Sequence, residues 1–283
     1  MKKIVLLLCC ITALHSINAQ ESLLQFDKKY YECENKWVAL PLTEKDTAYM
    51  IGVVYLDEQA GFTFGYEGKM TITDKYRSHI ESPRTNRMIY RIPEEYTQMA
   101  IIPDAKVQEM NLPTEPDWLP IYRKGEDEVQ SQVKRGFHFN HIGGSLQAIP
   151  ILLKAYAKEP HAEGLEFELA YAYNAIEQPA KAIEVLEKAI KNDPKNYMFY
   201  RELGYSYILA DKFGDAEKTY KKGIAMSDNA YQQAEMAFNM AGAYYRLKDK
   251  KKFDEWVAIT RKYAKEDTIY FKNLLLLESK FDK

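Results

Sequence analysis

A period of 34 residues in the C-terminal half constrains this chain more than any other feature. Gly136, Ala170 and Gly204 stand 34 apart, and so do Phe139, Tyr173 and Tyr207. The same spacing joins Ala148, Ala182 and Ala216, then Leu152, Leu186 and Tyr220, then Ala155, Ala189 and Gly223. Pro160 and Pro194 keep it too, with Asp228 where a third proline would fall. A fixed period of this length means stacked copies of one supersecondary unit, none of which buries its apolar face alone. Two antiparallel helices approach closely only where side chains are small. That places Gly or Ala on the first helix of each copy and two small residues, seven apart, on the second. The aromatic fills the gap between the pair, and proline ends the second helix.

Counted from starts at 129, 163 and 197, these columns resemble the tetratricopeptide repeat. The family's early tryptophan is replaced by Gln132 and Glu166, with Tyr200 the nearest match. A fourth copy begins near Ala234 after three extra residues and keeps Met240, Ala241 and Tyr244. Its turn, LKDKKK over 247–252, reads as longer, with Trp256 where alanine is expected. A last helix from about Asp267 carries Leu274 to Leu277, and four consecutive leucines cannot all face inward. Either this cap packs unusually deeply, the preferred reading, or an apolar strip remains for a partner or for weak homo-oligomerisation.

The resemblance covers residues 126–281 and implies a right-handed superhelix of about four helix pairs plus a capping helix. The first helices then line a concave surface that binds an extended peptide or another protein's helix, and the repeats bring no chemistry of their own. Family geometry puts Phe137, Asn140 and His141 of the first repeat on that surface, and Phe167, Tyr171 and Asn174 of the second. Arg201 and Tyr205 of the third and Phe238 and Tyr245 of the fourth join them, with Glu168 and Glu202 at the edge. Aromatic rings give a peptide contact area, and amides satisfy its backbone. One subgroup captures a C-terminal carboxylate with lysines and asparagines. Val133 and Phe137 replace the first of those residues, so that function is not implied here.

Upstream the composition differs. AYMIGVVYL (48–56) and FTFGYEGKMTIT (62–73), separated by a five-residue loop, read as a hairpin. WVAL (37–40), RMIYRI (87–92) and MAII (99–102) read as further strands, and DAKVQEMNL (104–112) as a short helix stopped by Pro113. TEPDWLPIYRKG (114–125) has the prolines and large aromatic of a docked linker, and is a candidate segment for covering the groove. The fold class is therefore α+β: a β-rich N-terminal module with linker over 20–125, for which no family resemblance is found, followed by the solenoid over 126–283.

The first 19 residues, MKKIVLLLCCITALHSINA, have the basic start, short apolar run and small final residue of a cleaved export signal. The run from Ile4 to Leu14 is too short for a spanning helix, so no stable membrane insertion is expected after cleavage. Cleavage near Ala19 gives an exported protein, periplasmic or secreted. Losing Lys2 and Lys3 takes the net charge from −2 to −4 with no clustered Lys and Arg, which argues against nucleic acid as a partner. Cys33 alone survives processing, so no intramolecular disulfide can form. It reads as a semi-buried thiol, with pairing between chains or a reactive role as alternatives.

The stretch RGFHFNHIGG sets His138 and His141 three apart, with His161 further on. No Cys, Asp or Glu within four residues of the pair completes a metal site, and His138 is expected to face the β-rich module with Arg135 beside it. There is no G-x-S-x-G, H-E-x-x-H or phosphate-cradling glycine loop. Acids such as Glu166 and Glu168 read as a solvated helix face. No catalytic residue, metal or cofactor is therefore assigned. The expected function is a non-catalytic scaffold binding a protein or peptide partner of the cell envelope. The alternatives are a glycan or small-ligand binder using Trp37, Trp118 and the tyrosines of the N-terminal module, or an enzyme with its site in that module.

Overall fold

The computed structural model describes residues 24–73, 75–80, 88–93 and 98–281. The expected leader at 1–19 lies outside them. Among the described residues, six strands form one antiparallel sheet: β1 Lys36–Ala39, β2 Tyr49–Asp57, β3 Gly61–Ile72, β4 Tyr76–His79, β5 Ile89–Arg91 and β6 Ala100–Ile101. Their order is β4-β3-β2-β1-β6, and β5 shares the outer edge of β3 with β4. β4 lies in a polar run around His79 that has no apolar alternation, so the sequence does not announce it. The β2–β3 turn is also tighter than five residues, because Asp57 and Gly61 pair. Asp57 Oδ1 accepts the N–H groups of Gln59 and Ala60, and Gly61 takes a φ of +81°, which glycine adopts without strain.

The continuous apolar run of β2 follows from burial on both faces. Val54 and Leu56 join Tyr30, Phe62 and Phe64 on one side; Ile51, Val53 and Tyr55 join Trp37 and Met70 on the other. Helices α1 (Asp104–Glu109) and α2 (Leu119–Tyr122) cover this second side through Val107 and Leu119. Trp118 donates Nε1–H to Glu67 Oε1 at 2.9 Å and meets Tyr55 edge-on at 5.1 Å. The linker is thus docked on the sheet, not over the groove.

Four helix pairs follow, as the repeat implies: α3 Val129–His141 with α4 Ser145–Lys158, α5 Leu165–Ala175 with α6 Pro179–Asn192, α7 Tyr197–Leu209 with α8 Phe213–Met226, and α9 Ala230–Arg246 with α10 Lys250–Tyr263. Helix α11, Ile269–Phe281, caps them. Each turn within a pair uses one left-handed residue in its middle: Gly143, Glu177, Asp211 and Lys248. The fourth turn is therefore no longer than the others. The three extra residues fall in α9, which also starts one position earlier in register and so runs 17 residues, against 13 for α7. Counted from the helix starts, Phe253 and not Trp256 occupies the alanine column, with Val257 and Thr260 in the next two.

The small residues do what the period demands. A Cβ on Gly136 would lie 2.4 Å from Leu152 Cδ2, and one on Gly204 would lie 2.3 Å from Tyr220 Cε1. One cluster of buried side chains runs from the sheet through α3–α6 to Phe199 and Leu203 of α7. A second starts at Ile208 of the same helix and continues to Leu274. At the cap, Leu274 is buried and Leu277 packs inward, but Leu275 and Leu276 are exposed, so the cap does not bury all four.

Sheet and solenoid share an interface. Phe62 meets Phe139 edge-on at 5.1 Å, and Arg135 donates to Glu34 Oε1 at 2.7 Å with both side chains largely buried. His138 Nε2 lies 3.1 Å from the Glu58 carbonyl oxygen, facing the β2–β3 turn, and Ser131 Oγ donates to the Glu58 carboxylate. Cys33 is fully buried, and burial pushes its thiol up to about 12. A thiol so held is neither exposed for pairing nor ionised for attack.

Candidate functional site

The concave face is built from the inner helices α3, α5 and α7, and its floor is a ladder of amide–carboxylate bonds. Asn140 Nδ2 donates to Glu168 Oε2 and to the Glu168 carbonyl, each at 2.9 Å. One repeat later, Asn174 Nδ2 donates to Glu202 Oε1 at 2.7 Å and approaches Ser206 Oγ at 2.8 Å. Burial holds the Glu202 and Glu168 carboxyls above the usual carboxylate range, and the asparagine bonds only partly offset it. The oxygen of each amide, Asn140 Oδ1 and Asn174 Oδ1, has no partner among the described residues.

Rings stand over this floor. Phe137, Tyr171 and Tyr205, one from each inner helix, are 47%, 40% and 40% exposed. Phe137 stacks on His141 at 5.7 Å, and with Phe167 and Arg201 they line a small hollow. A larger cavity of about 450 Å³ adjoins it, lined by Tyr171, Asn174, Arg201, Glu202, Tyr205 and Glu235 among others. Tyr171 and Arg201 border both, so the hollows form one groove.

Eight of the ten expected groove residues lie here: Phe137, Asn140, His141, Phe167, Tyr171, Asn174, Arg201 and Tyr205. Phe238 and Tyr245 do not join them. Phe238 packs on Tyr270 and Tyr245 on Phe281, because the cap α11 lies against α9. Two further corrections concern charge, and one groove residue has partners of its own. Glu202 is buried in the floor and Glu168 half-buried, rather than at an edge. Glu166 is also buried and is bonded to His161, so that helix face is not solvated. Arg201 is engaged: its guanidinium lies over the Phe167 ring at 5.0 Å, 3.7 Å from Glu235, and donates to Gln232.

Sequence reasoning missed Glu177 and Glu235, which both line the larger cavity. Glu235 belongs to the repeat whose register the extra residues obscure. The asparagine–glutamate ladder was visible as two more columns at the repeat spacing, Asn140 with Asn174 and Glu168 with Glu202.

No curated protein matches the sequence. Among solved structures, a thermophilic TPR protein of Thermus thermophilus is 17% identical with a TM-score of 0.49, covering 56% of this chain and 87% of its own. MamA of Desulfovibrio magneticus RS-1 is 16% identical with a TM-score of 0.42, covering 57% of this chain and 82% of its own. At these values neither bears on what the groove binds. The family model of the tetratricopeptide repeat matches residues 162–206, which run from just before α5 into α7. The first and third helix pairs keep the same small-residue columns, and all four pairs keep the same three-residue turns. The chain therefore carries tetratricopeptide repeats, preceded by a six-stranded sheet that is not part of them.

Proposed function

We propose that this chain is an exported, non-catalytic interaction scaffold of the bacterial cell envelope, taking an extended peptide segment of a protein partner on its concave face. One arrangement supports the reading. Three exposed rings, Phe137, Tyr171 and Tyr205, stand one per inner helix over a floor fixed by the Asn140–Glu168 and Asn174–Glu202 bonds. Rigid aromatic anchors on a preformed floor supply contact area at little ordering cost. The segment before β1 lengthens the surface: Lys29 and Tyr31 border a recess of about 480 Å³ that Tyr171 also lines.

The small-ligand reading has less to stand on. Trp37 is buried with its Nε1–H given to the Pro113 carbonyl at 3.0 Å, and Trp118 is engaged with Tyr55 and Glu67. Neither ring is free to stack on a sugar.

Photo-crosslinking in the native host tests the scaffold reading. A photoreactive residue at Tyr205 should capture a specific protein, and the same residue at Lys188 on the outer helix α6 should not. Equal capture at both positions, or none at Tyr205, would move function away from the groove. Sequencing the N-terminus of the protein recovered from the host should begin at Gln20, and an intact Met1 would refute export.

A further inference from the structure

The larger cavity has more negative than positive charge, and its geometry says what would balance it. Glu177, Glu202 and Glu235 line it, and among the described residues that line it Arg201 is the one cation. Arg201 is already spent on Glu235, Gln232 and the Phe167 ring. The Glu202 carboxylate takes its hydrogen bond from the neutral amide of Asn174, not from a cation. A buried carboxylate that shares its nearby cation, Arg201, with a second acid is costly, and a ligand cation would reduce that cost.

A second observation is independent of the acids. Asn174 is 5% exposed, lines the cavity, and its Oδ1 lacks a partner among the described residues. Among the buried side-chain atoms that line it, one acceptor, Asn174 Oδ1, and one donor, Arg201 Nε, lack a partner, and the carboxylates of Glu177, Glu202 and Glu235 add further acceptors. A ligand group rich in N–H donors fits; a carboxylate does not. Tyr171 and Tyr205 supply the walls, and ring faces attract cations.

We infer that this cavity seats a lysine or arginine side chain of the bound peptide, its cationic head between Tyr171 and Tyr205 and above Glu202 and Glu235. The inference rests on the peptide-groove reading and gives it a chemistry. The partner carries a basic residue in an extended segment, the opposite of a carboxylate-capturing groove. Binding weakens with salt, because the charges are partly exposed to screening.

The test is a selection from a random twelve-residue display library on the immobilised full chain, repeated on three variants: Tyr171→Ala, Glu202→Gln/Glu235→Gln, and the outer-surface control Lys188→Ala. Thermal unfolding of each variant confirms that it is folded before selection. The expected result is one position enriched in Lys or Arg, kept on the control and lost on the double-Gln variant. Fluorescence anisotropy of a selected peptide should then show binding weakened about tenfold or more by the double substitution. Enriched peptides that are neutral or acidic, lost on Tyr171→Ala but kept on the double-Gln variant, would overturn the basic-residue inference and leave the groove reading intact. Peptides indifferent to Tyr171→Ala, or no enrichment at all, would overturn both. If only free spermidine binds, measured by calorimetry, the cavity is an amine site and the peptide form of the proposal is wrong.

Discussion

Asn140 and Asn174 make the same bond one repeat apart: each side-chain amide donates to the carboxylate of a glutamate 28 residues further on, Glu168 and Glu202. The bond ties each inner helix to the next, so the groove floor and the stacking of repeats are one construction.

Asn174→Ala should cost more stability than Asn140→Ala. Glu202 is buried, and losing its donor leaves a charge-bearing acceptor unsatisfied, a loss of about 2–3 kcal/mol. Glu168 is only half-buried and can reach water, so its loss should be about 1 kcal/mol. Urea unfolding of both variants decides this, and equal losses would contradict the burial difference.

Glu202 should also leave a mark on the pH dependence of stability. Its carboxyl is held above the ordinary range, chiefly by burial, so the folded chain binds this proton more readily than the unfolded chain. The stability linked to that proton is present below the unfolded pKa and is lost as pH rises through the folded one. Glu202→Gln keeps an acceptor for Asn174 and removes the titration. Its melting temperature should therefore fall less than the wild type's from about pH 4 to neutral. Glu168, raised for the same first reason, keeps a smaller slope in the variant. Parallel curves for the two proteins would refute this account.

Gly204→Ala should destabilise even though alanine favours helices by about 1 kcal/mol. The added methyl meets the ring of Tyr220, which is fully buried and cannot withdraw. A net loss of about 1–2 kcal/mol is expected. The preceding repeat holds the remedy, Ala170 against Leu186, so Gly204→Ala/Tyr220→Leu should regain part of the loss. A thermal-unfolding double-mutant cycle measures the coupling, and strict additivity would mean that the two columns do not touch.

Arg135→Ala should loosen the sheet from the first repeat. Burial raises the Glu34 carboxyl even with Arg135 beside it, and removing the arginine leaves that acid without its cation. The expected loss is about 2–4 kcal/mol. Glu34→Gln/Arg135→Met should recover part of it, and limited proteolysis should cut the single variant faster near residue 125.

The helical half was legible because its constraint is periodic. A small residue every 34 positions can be seen without knowing what it touches, and the structure shows the touch at Gly136–Leu152 and Gly204–Tyr220. The groove was legible in composition but not in charge. Arg201, Glu168 and Glu202 were placed correctly on α5 and α7, yet whether a charged side chain is free depends on neighbours one repeat away, such as Glu235 and Asn174. In the sheet, long apolar β2 and β3 could be read, whereas β4 forms on polar residues because β3 offers it an edge.

The break between the two buried clusters falls within α7, between Leu203 and Ile208, and Tyr205 of the groove lies in that interval. Tyr207, in the same interval, packs against both clusters, so under tension at the two ends the line where the sheet and first two repeats meet the last repeats is held by α7 itself. A peptide held across Tyr171, Tyr205 and Glu235 would bridge that line and act as a mechanical clamp.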